Sequence, residues 1–120
     1  MKEERSGETG KVAVLICSET IGRGNDELGA NLMMNFLHHL SISDDPPDFL
    51  IMMNSGVKLA TESTDVLETL RELEKRNIQI LACGTCLDFF QLREKQRVGR
   101  GSNMREISQI LVSASKVVSV

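Results

Sequence analysis

The chain has no tryptophan and no tyrosine, and only four phenylalanines in 120 residues. Single-stranded nucleic acid is held by stacking bases on aromatic rings, so such a platform is poorly supplied here. Lys and Arg recur between Arg93 and Arg105, but Glu94 and Glu106 dilute them and the formal net charge is -3. The basic footprint that a phosphate backbone requires is missing, and nucleic acid is not an expected partner. No segment approaches the roughly 18 consecutive apolar residues of a membrane span, and residues 1–10 lack the apolar stretch of a secretion signal. No membrane partner and a cytoplasmic location are the resulting expectations. Cysteine is sparse as well: three residues, an odd count in a chain long enough to build a core without staples. That argues against a disulfide framework and for thiols with chemical work or a place in the core.

What is present fits an ordinary globular domain. The apolar fraction is 41% and the charged fraction 26%, too rich in Leu, Ile, Val and Met for a disordered chain. The length suits a single hydrophobic core. Residues 1–10, MKEERSGETG, are polar and without period, and read as a flexible tail or the stub of a linker. A folded domain is expected over residues 11–120.

Along that domain, short apolar runs alternate with amphipathic stretches of helical period, the pattern of a parallel sheet covered by helices. The runs are Val12 to Cys17, continuous enough for a strand buried on both faces, Phe49 to Met53, a second buried strand, Ile78 to Ala82 and Lys116 to Val120. Helices are predicted from Asn25 or Asp26 to Leu40, with Leu32, Met33, Phe36, Leu37 and Leu40 on the core stripe, and from about Ser63 to Arg76, with Asn77 as the stop. Asn103, with Glu106 three residues on, resembles a capping box. It opens a helix expected to bury Met104, Ile107, Ile110 and Leu111. Right-handed crossovers put every strand's carboxyl end on one edge, where ligand and catalytic groups gather in open α/β sheets. Cys17, then Asn54 with Ser55 in a turn completed by Gly56, and finally Cys83 stand at three of those ends.

The segment Ile80 to Gln91, ILACGTCLDFFQ, carries the most chemistry. Gly84 permits a sharp turn after Cys83, and Thr85 with Asp88 fits a helix N-cap, which puts Cys86 in the first helical turn. A thiol there faces free backbone N–H groups, so its pKa is expected below the free value of about 8.5. Cys83 and Cys86 are close enough in sequence for a disulfide or for passing a sulfur atom between them. The alternative is two small apolar fillers at a tight junction. A structural zinc needs four ligands, usually two such pairs, and only one pair exists; adjacent His38 and His39 offer no chelating face. Neither metal nor cofactor is expected. Gly22, Gly24 and Gly29 follow the first strand, but their spacing misses both common phosphate-loop patterns, and a Gly-rich loop capped into a helix by Asn25 is the preferred reading. A buried strand-end thiol is the expectation for Cys17, and Met33, Met34, Met52, Met53 and Met104 read as packing.

Taken together, VLICSETIGRGNDELG, the NSGVKL turn, ILACGTCLDFF and VGRGSNMREI resemble the DsrE/DsrF-like family, most nearly the DsrE-like domain of YedF-type selenium-metabolism proteins. The likeness runs over about Lys11 to Val120. It implies a single-domain DsrE-like α/β fold, with a five-stranded, mostly parallel sheet between helices on both faces, and assembly into trimers or hexamers. It also implies sulfur relay as a cysteine persulfide, with Cys83 as carrier and Cys86 as its partner. The substrate- or partner-binding set is Cys17, Gly22, Gly24, Asn25, Asn54, Ser55, Gly56, Gly84, Thr85 and Asn103. YedF-type proteins usually begin with a small sulfur-carrier domain, so the resemblance implies either a separate carrier protein as partner or a chain that is part of a longer one. The other readings are a non-catalytic oligomeric binding module and a thiol-disulfide redox protein.

Overall fold

Apolar runs and amphipathic stretches become nine main elements in the computed structural model, which describes residues 10–62 and 64–120. They are β1 (Val12–Ile16), α1 (Asp26–Ser41), β2 (Phe49–Met52), α2 (Thr64–Lys75), β3 (Gln79–Cys83), α3 (Gly84–Phe89), β4 (Arg100–Ser102), α4 (Met104–Ser113) and β5 (Lys116–Ser119). Single 3-10 helices cover Asn54–Ala60 and Arg93–Lys95. The expected flexible tail falls outside the described residues except for Gly10. Among the described residues, no helix is long and apolar enough to cross a membrane.

The five strands form one sheet in the order β4-β3-β2-β1-β5, and every neighbouring pair is parallel. The steps from β1 to β4 all run one way across the sheet, and the return to β5 runs the other. With right-handed crossovers this sets α1, α2 and α3 on one face and α4 on the opposite one, and α1 and α2 do pack together. The central strand β2, FLIM, is buried at all four positions, as a strand covered by helices on both faces must be. Around it Phe49, Leu50, Ile51 and Leu81 meet Met33 and Leu37 of α1, Leu70 and Leu73 of α2 and Ile107 of α4 in one core.

Several local details depart from expectation, each for a physical reason. Leu32 is 42% exposed because α1 turns Gly29, Met33 and Leu37 inward. A Cβ at Gly29 would lie 2.8 Å from the Thr20 side chain, so the helix meets its preceding loop there at close range. Met34 also faces outward, and Met104 is 52% exposed at the very start of α4, one turn before Ile107 reaches the core. β4, only three residues with Gly101 at its centre, has no apolar run to announce it. Asn77 does stop α2: it takes φ +67°, while the Ile78 and Asn77 N–H groups return to the Leu73 and Glu74 carbonyls. Gln91 ends α3 in the same way at φ +59°.

Only half of the capping box at α4 forms. Asn103 Oδ1 accepts the Glu106 N–H at 2.9 Å, but the Glu106 carboxylate turns away to Arg100 and Ser102. Arg100 grips it with two bonds of 3.0 and 2.6 Å, and Ser102 Oγ donates at 2.5 Å, pinning edge strand β4 to α4. These partners hold the Glu106 carboxyl at about 2, against 4.5 for an ordinary glutamate. A depressed carboxyl contributes stability above its unfolded value and loses it as the pH falls through the folded one. Unfolding stability should therefore drop between pH 4.5 and 2, by about 1 to 2 kcal/mol after allowing for solvent screening of a partly exposed pair. Urea titrations across that range should show the slope in the native chain and a flatter profile in Glu106→Gln.

Candidate functional site

The sheet's carboxyl edge is assembled by register. Ile16 pairs with Met52, Met52 with Ala82, and Cys83 with Ser102. The chain leaving β3 enters α3 on one face, whereas the chain leaving β4 enters α4 on the other. Neighbouring strands that diverge in this way mark the carboxyl-end region where ligands usually bind in an open α/β sheet. Cys83 is the last residue of β3 and caps α3, and Cys86 is the third residue of that helix. The helix begins at Gly84, two residues before the expected start, and Thr85 is inside it rather than capping it. Gly84 is demanded by space. A Cβ there would lie 2.8 Å from both the Ser102 carbonyl oxygen and an Arg93 guanidinium nitrogen. Gly56 is equally constrained, since its Cβ would meet the Ile16 carbonyl oxygen at 2.5 Å.

None of the three cysteines is joined in a disulfide, and they differ in exposure: Cys17 exposed, Cys86 half-buried, Cys83 only 2% exposed. The Cys17 position corrects the expectation of a buried thiol, because β1 ends at Ile16 and the chain turns outward one residue later. Asn54 adopts φ +53°, a left-handed conformation that asparagine tolerates, and donates its backbone N–H to Cys86 Sγ at 3.1 Å. The Cys83 thiol lies near enough to that of Cys86 to act on its proton affinity. Burial pushes the Cys86 thiol up from its ordinary value; the Asn54 N–H opposes this, and the Cys83 thiol adds to it. The helix N-terminus was expected to lower it. Loss of water at a half-buried sulfur outweighs what the single N–H and one short helix supply.

Cys86 opens onto a cavity of about 300 Å³ lined by Asn54, Thr85, Phe89 and Phe90. Its walls are largely apolar, and Phe89 stands 80% exposed at the rim. Lys58 Nζ sits 4.8 Å from the centre of the Phe90 ring and 3.8 Å from a Glu19 carboxylate oxygen. Arg93 braces α3 from outside: its Nε and Nη2 fork onto the Asp88 carboxylate at 2.7 and 2.8 Å, and Nη2 also reaches the Gly84 carbonyl at 3.1 Å. That fork holds the Asp88 carboxyl below the usual carboxylate range. Phe89, Phe90 and the pairing of Asp88 with Arg93 were not singled out from sequence, where Asp88 was expected to accompany a Thr85 cap. The adjacent phenylalanines just past the cysteine pair, in a chain with so few aromatics, were the available signal.

No protein-family model matches the sequence, and no curated protein does. Among solved structures, the crystal structure of the ychN protein from E. coli superposes with a TM-score of 0.71 over 93% of this chain and 100% of that one. The fold is DsrE-like. Sequence identity is 17%, so the likeness concerns fold, and chemistry has to be argued from the residues at the site.

On this DsrE-like frame the predicted residues divide into two groups. Asn54, Thr85 and Cys86 line the cavity, Cys83 and Gly84 lie behind it at the β3–α3 junction, and Gly56 packs against the end of β1. Ser55 lies next door, lining a more polar cavity of about 580 Å³ with Ser18, Glu19, Thr20, Asp26 and Glu27. Asn25 and Asn103 are engaged as helix caps, each accepting one backbone N–H at 2.9 Å. Gly22 and Gly24 take φ of +80° and +128° in the exposed loop, and that loop is tied back to α1 by the Ile21 N–H to the Gly29 carbonyl. They shape the loop and do not line the cysteine cavity.

Since burial raises the Cys86 thiol, its alkylation by iodoacetamide, read peptide by peptide, should climb only beyond the ordinary thiol midpoint of about 8.5. A half-maximal rate below pH 8 would contradict the assignment of burial as the dominant influence.

Proposed function

We propose that this chain is a sulfur carrier or sulfurtransferase that relays sulfane sulfur, or selenium in its place, through Cys86 to Cys83. The observation that carries the reading is the paired thiols themselves: Cys86 faces a cavity while its neighbour, Cys83, is buried behind it. A relay that works through free thiols suits a cytoplasmic setting.

The chemistry follows from that arrangement. The Cys86 thiolate attacks the outer sulfur of a persulfide donor; the donor's S–S bond breaks and its thiolate leaves. The Asn54 N–H accompanies the Cys86 sulfur through this change of charge. The Cys83 thiolate then attacks the outer sulfur on Cys86, forming a Cys83 persulfide and returning Cys86 as thiolate. The sulfur ends where water and bulky acceptors do not reach, which suits storage between two partners. This assignment agrees with Cys83 as the carrier but places Cys86 before it, because a thiol that is 2% exposed cannot meet a donor directly. A separate sulfur-carrier protein is the corresponding partner. Assembly into a homo-oligomer, trimer or hexamer, would cover exposed apolar side chains such as Leu28, Ile42 and Val117.

Loading with inorganic polysulfide, followed by intact-mass measurement and peptide mapping, tests the relay. One added sulfur on Cys83 is expected in the native chain. It should remain on Cys86 in Cys83→Ser and never arrive at Cys83 in Cys86→Ser. Loading of Cys83 in Cys86→Ser at the native level would refute it. The proximity of the two thiols also supports a dithiol redox reading, whose signature would be reversible Cys83–Cys86 disulfide formation with no retained sulfur.

A further inference from the structure

We infer that Cys17 is a third thiol of this relay, the surface port that takes sulfane sulfur from a protein-bound persulfide and passes it to Cys86. The inference rests on the sulfur-carrier reading above. Three observations carry it. The first is register: Cys17, Met53 and Cys83 each follow a row of paired residues, Ile16 with Met52 and Met52 with Ala82. Two strand spacings of about 4.8 Å set the Cys17 and Cys83 α-carbons roughly 10 Å apart, with the β2 strand end between them. The second is a shared tether. Met53 donates its N–H to the Ile16 carbonyl at 2.9 Å, and the next N–H along, that of Asn54, goes to Cys86 Sγ. One dipeptide thus holds both the end of β1 and the second thiol. The third is the gradient of exposure, from exposed Cys17 through half-buried Cys86 to buried Cys83.

A folded donor meets the exposed Cys17 thiol more readily than half-buried Cys86, which lies beside Phe89 and Phe90 in the cavity. The Cys17 thiolate takes the donor's outer sulfur and the donor thiolate departs. The Cys86 thiolate next attacks that outer sulfur, the S–S bond at Cys17 breaks, and Cys17 is regenerated as thiolate. No net oxidant or reductant is consumed. Each persulfide also extends its residue by an S–S bond of about 2 Å, which shortens the gap to be crossed.

Two measurements test this. In Cys83→Ser, diamide, which accepts the two hydrogens of a dithiol, should produce an intramolecular Cys17–Cys86 disulfide detectable by peptide mass. In Cys17→Ser, loading of Cys83 from a folded single-cysteine protein previously persulfidated with polysulfide should slow at least about ten-fold, as loss of a positioned thiol predicts. Loading from inorganic polysulfide, small enough to enter the cavity, should keep its native rate. Absence of the cross-link, a native loading rate from the protein donor, or equal slowing with both donors would each overturn the port. A native chain that never acquires sulfur on Cys83 defeats the carrier reading, and the port with it. Native loading that Cys17→Ser leaves untouched defeats the port alone.

Discussion

A single backbone N–H, that of Asn54, joins the end of one strand to the thiol that follows the next. For that bond to exist, Asn54 must sit in a left-handed conformation, Met53 must close onto the Ile16 carbonyl, and Gly56 must lack a side chain so that the chain can turn under β1. Behind these local demands lies parallel pairing. Only strands running the same way deliver the carboxyl ends of β1, β2 and β3, and with them Cys17, Asn54 and Cys83, to one edge. The buried core sets the register, because sliding a fully apolar strand such as Phe49–Met52 would disrupt packing on both its faces.

Burial and hydrogen bonding pull Cys86 in opposite directions, and burial prevails. The consequence is a thiol kept protonated at neutral pH, so it is protected from casual oxidation and reacts when a partner or donor supplies the driving force. The brace around α3 works alongside this. Arg93 ties Asp88 at one end of the short helix to the Gly84 carbonyl at the other. That keeps six residues ordered which would be too few to form a stable helix alone. On the far side, the Arg100 and Ser102 grip on Glu106 stops the short edge strand β4 from fraying beside Cys83.

Much of the frame was legible in the sequence, because long-range packing agreed with local pattern. The apolar run Phe49 to Met53 and the stripe Met33, Phe36, Leu37 and Leu40 gave strand and helix directly, and Asn25, Asn77 and Asn103 marked helix ends through side-chain chemistry that spacing reveals. β4 was not legible: Arg100, Gly101 and Ser102 pair because β3 offers an open edge, not through any propensity of their own. The cysteine pair and the Asn54 turn were visible as a cluster at the strand ends. Their electrostatics were not, because the Cys86 environment depends on the burial that tertiary packing gives the thiol beside Phe89 and Phe90. The Asp88–Arg93 fork escaped for a similar reason, since a five-residue spacing matches no helical face and acquires meaning only after Gln91 turns the chain back.

The order in which the thiols receive sulfur tests the account most directly. A short pulse of isotope-labelled polysulfide, quenched at successive times and mapped peptide by peptide, would follow the label through the native chain. Label appearing first on Cys86 and declining there as it accumulates on Cys83 is the predicted course. Label reaching Cys83 first, or reaching both with no lag, would contradict a relay built from an accessible thiol in front of a buried one.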